Sequence, residues 1–324
     1  MNLKRLLRWS IAAMLALVVL APAEAQQPKN VPRVGFLHPG VPSTPLLGLF
    51  RKQLAELGYI DGQNVIIEPR FAEGQYDRVP ELAADLVRCK VDVIAVQGAV
   101  TTRPLKNAVH GVPIVFAVVV DPIAEDLVKR LDRRDENITG VTTFDPQQPR
   151  KQLELLKKAV PGLKRVGLLG DRDVQGFIGT MEETAHGLGL ATRQVRVTAS
   201  ALDLEGAFGV FKEWHADAVV VMEEPAMGTH KQRIAALAAR DRLPSMVSPL
   251  FAEAGGLLAY GTSFTEGYRR WAAYVVKVLK GARPGDLPID VVNSYELVVN
   301  LKTAREIGVA IPADIVDRAD RVIR

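Results

Sequence analysis

One pattern occurs twice in this chain, in the same order and at similar spacing, and the repeat limits what the chain can fold into. Arg33-Val34-Gly35-Phe36-Leu37 returns as Arg165-Val166-Gly167-Leu168-Leu169. Leu57-Gly58-Tyr59 returns as Leu188-Gly189-Leu190, and Val91-Asp92-Val93-Ile94-Ala95-Val96 as Ala216-Asp217-Ala218-Val219-Val220-Val221. Val112-Pro113-Ile114-Val115 is matched by Leu243-Pro244-Ser245-Met246-Val247. A single faint match carries little weight, but four in one order imply two lobes of like architecture. A cleft between such lobes is a natural ligand site.

Length and composition agree. A chain of 324 residues is too long for one core and suits two domains. Hydrophobic residues at 48% and charged residues at 24% belong to a globular protein. Lys4, Arg5 and Arg8 precede an uncharged stretch from Trp9 to Ala23, and Ala23-Glu24-Ala25 supplies small residues where a signal peptidase reads. Residues 1–25 are therefore expected to be a cleaved secretory signal, placing the mature chain in the periplasm. The apolar run is shorter than the roughly 20 residues that a membrane anchor needs. Setting Lys4, Arg5, Arg8 and Glu24 aside reduces the net charge from +4 to +2. No arginine-rich run interleaved with aromatics occurs, so no nucleic-acid partner is expected. Cys89 is alone and cannot form an intrachain disulfide.

Periodicity gives alternating strands and helices. Val34–Leu37, Val65–Glu68, Val93–Val96 and Ile114–Val120 read as strands, with helices over Leu46–Leu57, Val79–Cys89 and Thr101–Val109 between them. The second half repeats the scheme, with strands over Val166–Leu169, Thr192–Val197 and Ala218–Met222. Its helices are expected over Gly179–Gly187, Leu204–Trp214 and Lys231–Arg240. Leu257–Gly261 reads as a return crossing, Tyr268–Leu279 as a helix, Tyr295–Asn300 as a late strand and Lys302–Ile307 as a last helix. Helices between strands imply parallel pairing and right-handed crossovers, so the expected fold is α/β, with two doubly wound parallel-sheet lobes joined by a hinge.

In open parallel sheets, ligands bind beyond the carboxyl ends of the strands. In the first lobe that rule selects His38, Gln97, Gly98, Ala99, Val119 and Asp121, and in the second Asp171, Glu223, Glu224 and Ser248. Gly98 lets backbone approach a ligand closely. Thr101 suits both a helix cap and a ligand carboxylate. Glu223 and Glu224 suit a ligand ammonium or hydroxyls, and equally a helix cap or solvent. Thr143 and Tyr260 fall at expected crossings, where Tyr260 either lines a pocket or packs between the lobes. No nucleophile elbow, phosphate-binding loop or zinc-ligand pair occurs, so no catalytic residue, metal or cofactor is assigned.

Further motifs carry a family resemblance. Phe50-Arg51-x-x-Leu54-x-Glu56-Leu57-Gly58-Tyr59-x-x-Gly62-x-Asn64-Val65, Asn137-Ile138-Thr139-Gly140-Val141 and Gly255-Gly256-Leu257-x-x-Tyr260-Gly261 resemble the solute-binding proteins of ABC transporters. The group in question includes tryptophan- and tyrosine-type binders. Pro113-Ile114-Val115-Phe116 with Asp121-Pro122, Val278-Leu279-Lys280-Gly281-Ala282 and Glu296-Leu297-Val298-Val299-Asn300 continue the likeness over nearly all of the mature chain. The resemblance implies a type I periplasmic binding fold with three crossings and a closing hinge. Residues 31–143 with 261–290 would form one lobe, and 144–260 with 291–324 the other. It further implies a small organic ligand, carboxylated, amino-acid-like or aromatic, delivered to an ABC permease and its ATPase by a monomeric receptor. Gln97-Gly98-Ala99-Val100 and Glu223-Glu224-Pro225-Ala226 depart from relatives at ligand-facing positions. A sensory module for a membrane kinase and a secreted α/β enzyme stand as alternatives.

Overall fold

The computed structural model describes residues 31–123, 126–129, 131, 137–143, 145–171, 177–198 and 202–324. The expected signal segment and Phe144 lie outside them. Residues 32–324 form one unit. In chain order its elements are β1 Arg33–His38, α1 Leu46–Glu56, β2 Ile66–Phe71, α2 Val79–Arg88, β3 Val93–Gln97, α3 Ala99–Ala108, β4 Ile114–Val119 and β5 Ile138–Thr142. There follow α4 Gln148–Ala159, β6 Arg165–Asp171, α5 Phe177–Gly187, β7 Ala191–Val197, α6 Leu204–Glu213, β8 Ala218–Val221, α7 Pro225–Thr229, α8 Lys231–Arg240 and β9 Ser245–Val247. The last part comprises β10 Leu258–Thr262, α9 Phe264–Leu279, β11 Asp290–Val291, β12 Tyr295–Asn300, α10 Leu301–Ile307, α11 Ala313–Asp317 and β13 Arg321–Ile323.

Two sheets result. The first runs β11-β5-β4-β3-β1-β2 and the second β13-β12-β10-β9-β8-β6-β7. The chain therefore passes between sheets after β5, after β10 and between β11 and β12. Each sheet is covered on both faces, which is why its strands read as continuous apolar runs. In the first, Val34, Phe36, Val93 and Ala95 enter one core layer with α1 and α9, while Leu37, Ile94 and Val96 enter the other with α2 and α3. In the second, Val166, Leu168, Ala218 and Val220 face one layer, and Leu169, Val219 and Val221 the opposite one. The pairing is parallel except between β10 and β12, which run antiparallel.

Several elements differ from the periodicity reading. Helix α3 begins at Ala99 and α9 at Phe264, each earlier than expected, because Gly98 and Ser263 hold the turns before them. The Ser263 side chain accepts from the Glu266 amide, a regular N-cap. Strands β5, β11 and β13 and helices α4, α7 and α11 are absent from the periodicity reading, while β9 stands where the repeat of Val112–Val115 puts it. The strands among them have five residues or fewer, too short for an alternation signal.

Strand β4 carries the irregularity that matters most for the cleft. Phe116 is opposite Gly140 and Val119 opposite Thr142, so β4 holds one residue more than β5 over that span. Ile114 and Phe116 share a layer, and the extra residue puts Val119 in that layer as well. Val118 is left at φ 54°, unusual for a β-branched side chain, and borders the cleft. Gly140 permits the tight pairing, since a Cβ there would lie 2.4 Å from the Phe116 carbonyl oxygen. Gly140→Ala is therefore expected to cost about 1–3 kcal/mol by overpacking. Its melting temperature should fall by about 2–10 °C, and an unchanged melting curve would contradict the tight fit.

Candidate functional site

The carboxyl ends of both sheets enclose a cavity of about 240 Å³. His38 at the end of β1, Gln97 at the end of β3 and bulged Val118 line it from the first lobe, with Thr44, Leu46 and Phe264 at helix starts. Glu223 and Glu224 after β8, Lys231 on α8, and Ser248, Leu250 and Phe251 after β9 line it from the second.

Each polar group has a state set by its surroundings. His38 is 4% exposed, and its Nδ1 accepts from the Gly40 amide at 2.8 Å. That bond places the proton of the neutral ring on Nε2, which has no hydrogen-bond partner among the described residues. Burial pulls the ring down to about 4, with neighbouring Gln97 opposing, so it is neutral at pH 7. Gln97 Oε1 accepts from the Tyr268 hydroxyl at 2.6 Å. Both Glu223 oxygens are buried without a partner among the described residues, and burial pushes this carboxyl up to about 7, Gln148 pulling weakly the other way. The carboxyl tucks beneath the second crossing strand, where a Cβ at Gly261 would lie 3.2 Å from Oε2. Glu224 accepts from the Asp171 amide. Lys231 Nζ donates to the Leu250 carbonyl at 3.4 Å, and Ser248 Oγ is buried without a partner among the described residues. Among those residues no group of three or more His, Cys, Asp or Glu side chains could hold a metal.

Of the residues at strand ends, His38, Gln97, Glu223, Glu224 and Ser248 line the cavity, and the other selected residues stand elsewhere. Gly98, at φ 80°, turns the chain into α3, and Ala99 packs into the core. Thr101 is fully buried and donates to the Gly98 carbonyl at 3.1 Å and to that of Gln97. Its hydroxyl thus serves the helix. Val119 is in the core because of the bulge, and Asp121 accepts from the Ile123 amide at 3.0 Å in a local turn. Thr143 borders a gap of about 10 Å³ beside Thr262. Asp171 accepts from the Tyr76 hydroxyl of the other lobe at 3.1 Å, so it bridges the cleft without lining the cavity. Tyr260 stacks on Tyr295 with ring centres 5.9 Å apart, and its carbonyl accepts from Gln152 at 2.6 Å. Tyr295 and Gln152 both belong to the second lobe, so these contacts pack Tyr260 within that lobe, at the crossing and outside the cavity lining. Three lining residues that the rule does not reach, Leu46, Lys231 and Phe264, stand at helix starts, where each opens an amphipathic run.

Comparison with known proteins agrees with this geometry. Residues 40–323 match the profile of the ABC transporter substrate binding protein family. The tyrosine-binding protein of Clostridioides difficile is 23% identical over 261 residues, covering 79% of this chain and 74% of that protein. A crystal structure of an ABC domain in complex with L-Trp from Streptococcus pneumoniae is 27% identical with a TM-score of 0.81, over 90% of this chain and 99% of that one. A conserved domain protein from Vibrio cholerae superimposes with a TM-score of 0.83 at 22% identity, over 90% and 99% of the two chains. The match over almost all of the described chain, on two parallel sheets enclosing one cleft, means that this chain belongs to the ABC transporter substrate-binding protein family.

Proposed function

We propose that the chain is the periplasmic solute receptor of an ABC importer, capturing a small zwitterion between its lobes by hinge closure. The observation that carries this reading is Glu223, a carboxylate with both oxygens buried and unpartnered among the described residues, in a cavity between two sets of strand ends. A buried acid in that state is costly until a donor reaches it. A ligand ammonium is the group that suits it. Neutral His38 and Gln97 suit a carboxylate, and Leu46, Val118, Phe251 and Phe264 suit an apolar or aromatic body. An amino acid with an aromatic side chain combines all three, and the ligands named for the C. difficile and S. pneumoniae relatives support that class.

Closure would be a rotation about the crossings near Thr143 and Tyr260. The Tyr76–Asp171 hydrogen bond spans the cleft, and the Asp171 amide is held by Glu224, so the bridge and the site share a residue. The closed face would then be read by the permease with its ATPase. Micromolar affinity corresponds to about −8 kcal/mol, attainable from a few hydrogen bonds and one desolvated ring.

Four outcomes are expected. In thermal-shift screening, aromatic amino acids should raise the melting temperature and shrink the scattering radius. Failure of all amino acids, aromatic acids and dicarboxylates to do either would count against a receptor. Glu223→Gln should weaken aromatic amino acid binding at least tenfold and abolish its pH dependence, because an ammonium favours ionised Glu223. Affinity for the native protein should therefore rise as pH rises through about 7. The unliganded protein behaves oppositely: its raised Glu223 holds a proton that the unfolded chain has lost, so stability falls between the ordinary carboxylate pKa and about 7. At pH 8, calorimetry should find Glu223→Gln more stable by on the order of 2 kcal/mol, with the difference gone at pH 4. His38, whose lowered value acts with the opposite sign, is common to both proteins and cancels in that difference. Finally, Tyr76→Phe removes the bridge without touching the cavity lining, and stopped-flow should show ligand release faster by about 2- to 10-fold.

A further inference from the structure

Gln97 is 3% exposed and lines the cleft, but its amide is not free to choose which end it presents. Its Oε1 lies 2.6 Å from the hydroxyl of Tyr268, a residue 171 positions away in sequence and fully buried. The Tyr268 ring is itself fixed. It stands edge-on to Trp271, ring centres 5.2 Å apart at 89°, and Trp271 donates from Nε1 to the Val115 carbonyl at 2.9 Å. Among the described residues Gln97 is the hydroxyl's acceptor, and burial keeps the phenol protonated by holding its pKa well above the ordinary value. Turning the amide over would bring Nε2 to the phenol and leave the phenolic proton without an acceptor inside the core. Such a loss disfavours the flipped amide by about tenfold or more.

We propose that Tyr268 is a positioning residue that fixes Gln97 with its amide Nε2 toward the cleft, so that the first-lobe wall offers hydrogen-bond donors to a ligand's anionic end. His38 obeys the same logic, since the Gly40 amide fixes its tautomer with the proton on Nε2. Across the cleft, the Glu223 and Glu224 carboxylates offer acceptors to the cationic end, with Lys231 the one cation lining that wall among the described residues. The orientation of a zwitterion is thereby set: carboxylate against the first lobe, ammonium against the second. This assignment rests on the cleft being a solute site, as proposed above.

The experiment separates the two claims. Nuclear Overhauser contacts from the Gln97 side-chain amide protons to the Tyr268 ring, measured by NMR on the full chain with no ligand, should be weak in the native protein, because Oε1 is the atom that faces the hydroxyl. Strong contacts would mean that the amide nitrogen faces the phenol, and would overturn the positioning role whatever the cleft binds. Binding is then read with L-phenylalanine and L-phenylalaninamide, which keeps the ammonium and loses the carboxylate. Gln97→Glu, which keeps an acceptor for Tyr268 but turns a donor into an acceptor, should weaken L-phenylalanine at least tenfold and L-phenylalaninamide by less than threefold. Equal losses for both would overturn the assigned orientation. Tyr268→Phe, which keeps the ring packing, should lower the preference for L-phenylalanine over its amide by about 3- to 10-fold, and an unchanged preference would overturn the role of the hydroxyl. If the native protein binds neither compound, the aromatic amino acid reading fails, and the contacts of the Gln97 amide protons alone decide the positioning claim.

Discussion

The packing of α9 onto the first sheet is the contact on which most of the site depends. This helix follows the second crossing, so the chain has already built most of the second sheet before it returns to cover the first. Trp271 is its anchor, donating to Val115 on β4 and lying 4.7 Å from Phe50 and 5.8 Å from Phe36 between ring centres. Aromatic pairs of this kind contribute roughly 0.5–1.5 kcal/mol each beyond area burial, and the indole hydrogen bond about 1 kcal/mol. A helix held that firmly delivers Phe264 to the cavity, Tyr268 to Gln97 and Ser263 to the crossing as one rigid piece. Ligand geometry in the first lobe is therefore written partly by residues far from its strand tips.

Much of the scaffold was legible because buried parallel strands leave a strong mark. Val93–Val96 and Ala218–Val221 have no polar interruption, and Gly58, Gly281 and Gly308 close helices where the apolar period stops. The position rule for parallel sheets was enough to reach His38, Gln97, Glu223 and Glu224. It failed where local backbone chemistry intervened. Thr101 gave its hydroxyl to preceding carbonyls, as threonine does inside helices. Val119 and Val118 exchanged roles because one extra residue reverses side-chain parity beyond it, and no composition signal marks a bulge in Ile114–Val119. Tyr260 could not be placed from sequence because its environment, the Tyr295 ring and Lys151 Nζ 5.9 Å from its own ring centre, comes from two other segments.

Electrostatics in the cleft follows from burial without partners. The second lobe hides a carboxylate whose oxygens make no hydrogen bond among the described residues, with the Gln148 amide beside it offsetting part of the effect of burial, and the first hides an imidazole N–H without a partner among them. Each is a cost to the unliganded fold of about 1–3 kcal/mol. A ligand that satisfies both recovers that cost on binding, and only if both ends are in reach at once. Selectivity for a zwitterion over a simple amine or a simple acid then needs no additional contact. An amine would leave the donors of His38 and Gln97 unmet, and an acid would leave Glu223 unmet and repelled.

The repeat adds a last step to that argument. The two halves share strands, helices and the glycine pairs Gly35/Gly167 and Gly58/Gly189, and their strand tips converge on one cavity from opposite sides. At those tips the halves differ in the sign of what they offer. After the third strand of the first lobe stands an amide held as a donor, and after the third strand of the second stand two carboxylates. A symmetric scaffold with unlike tips gives a dipolar cleft, and a dipolar cleft orients a dipolar guest before the lobes close. With like tips, the same scaffold would favour a ligand bearing two like ends, so polarity at the third-strand tips, more than cavity size, decides the class of molecule retained.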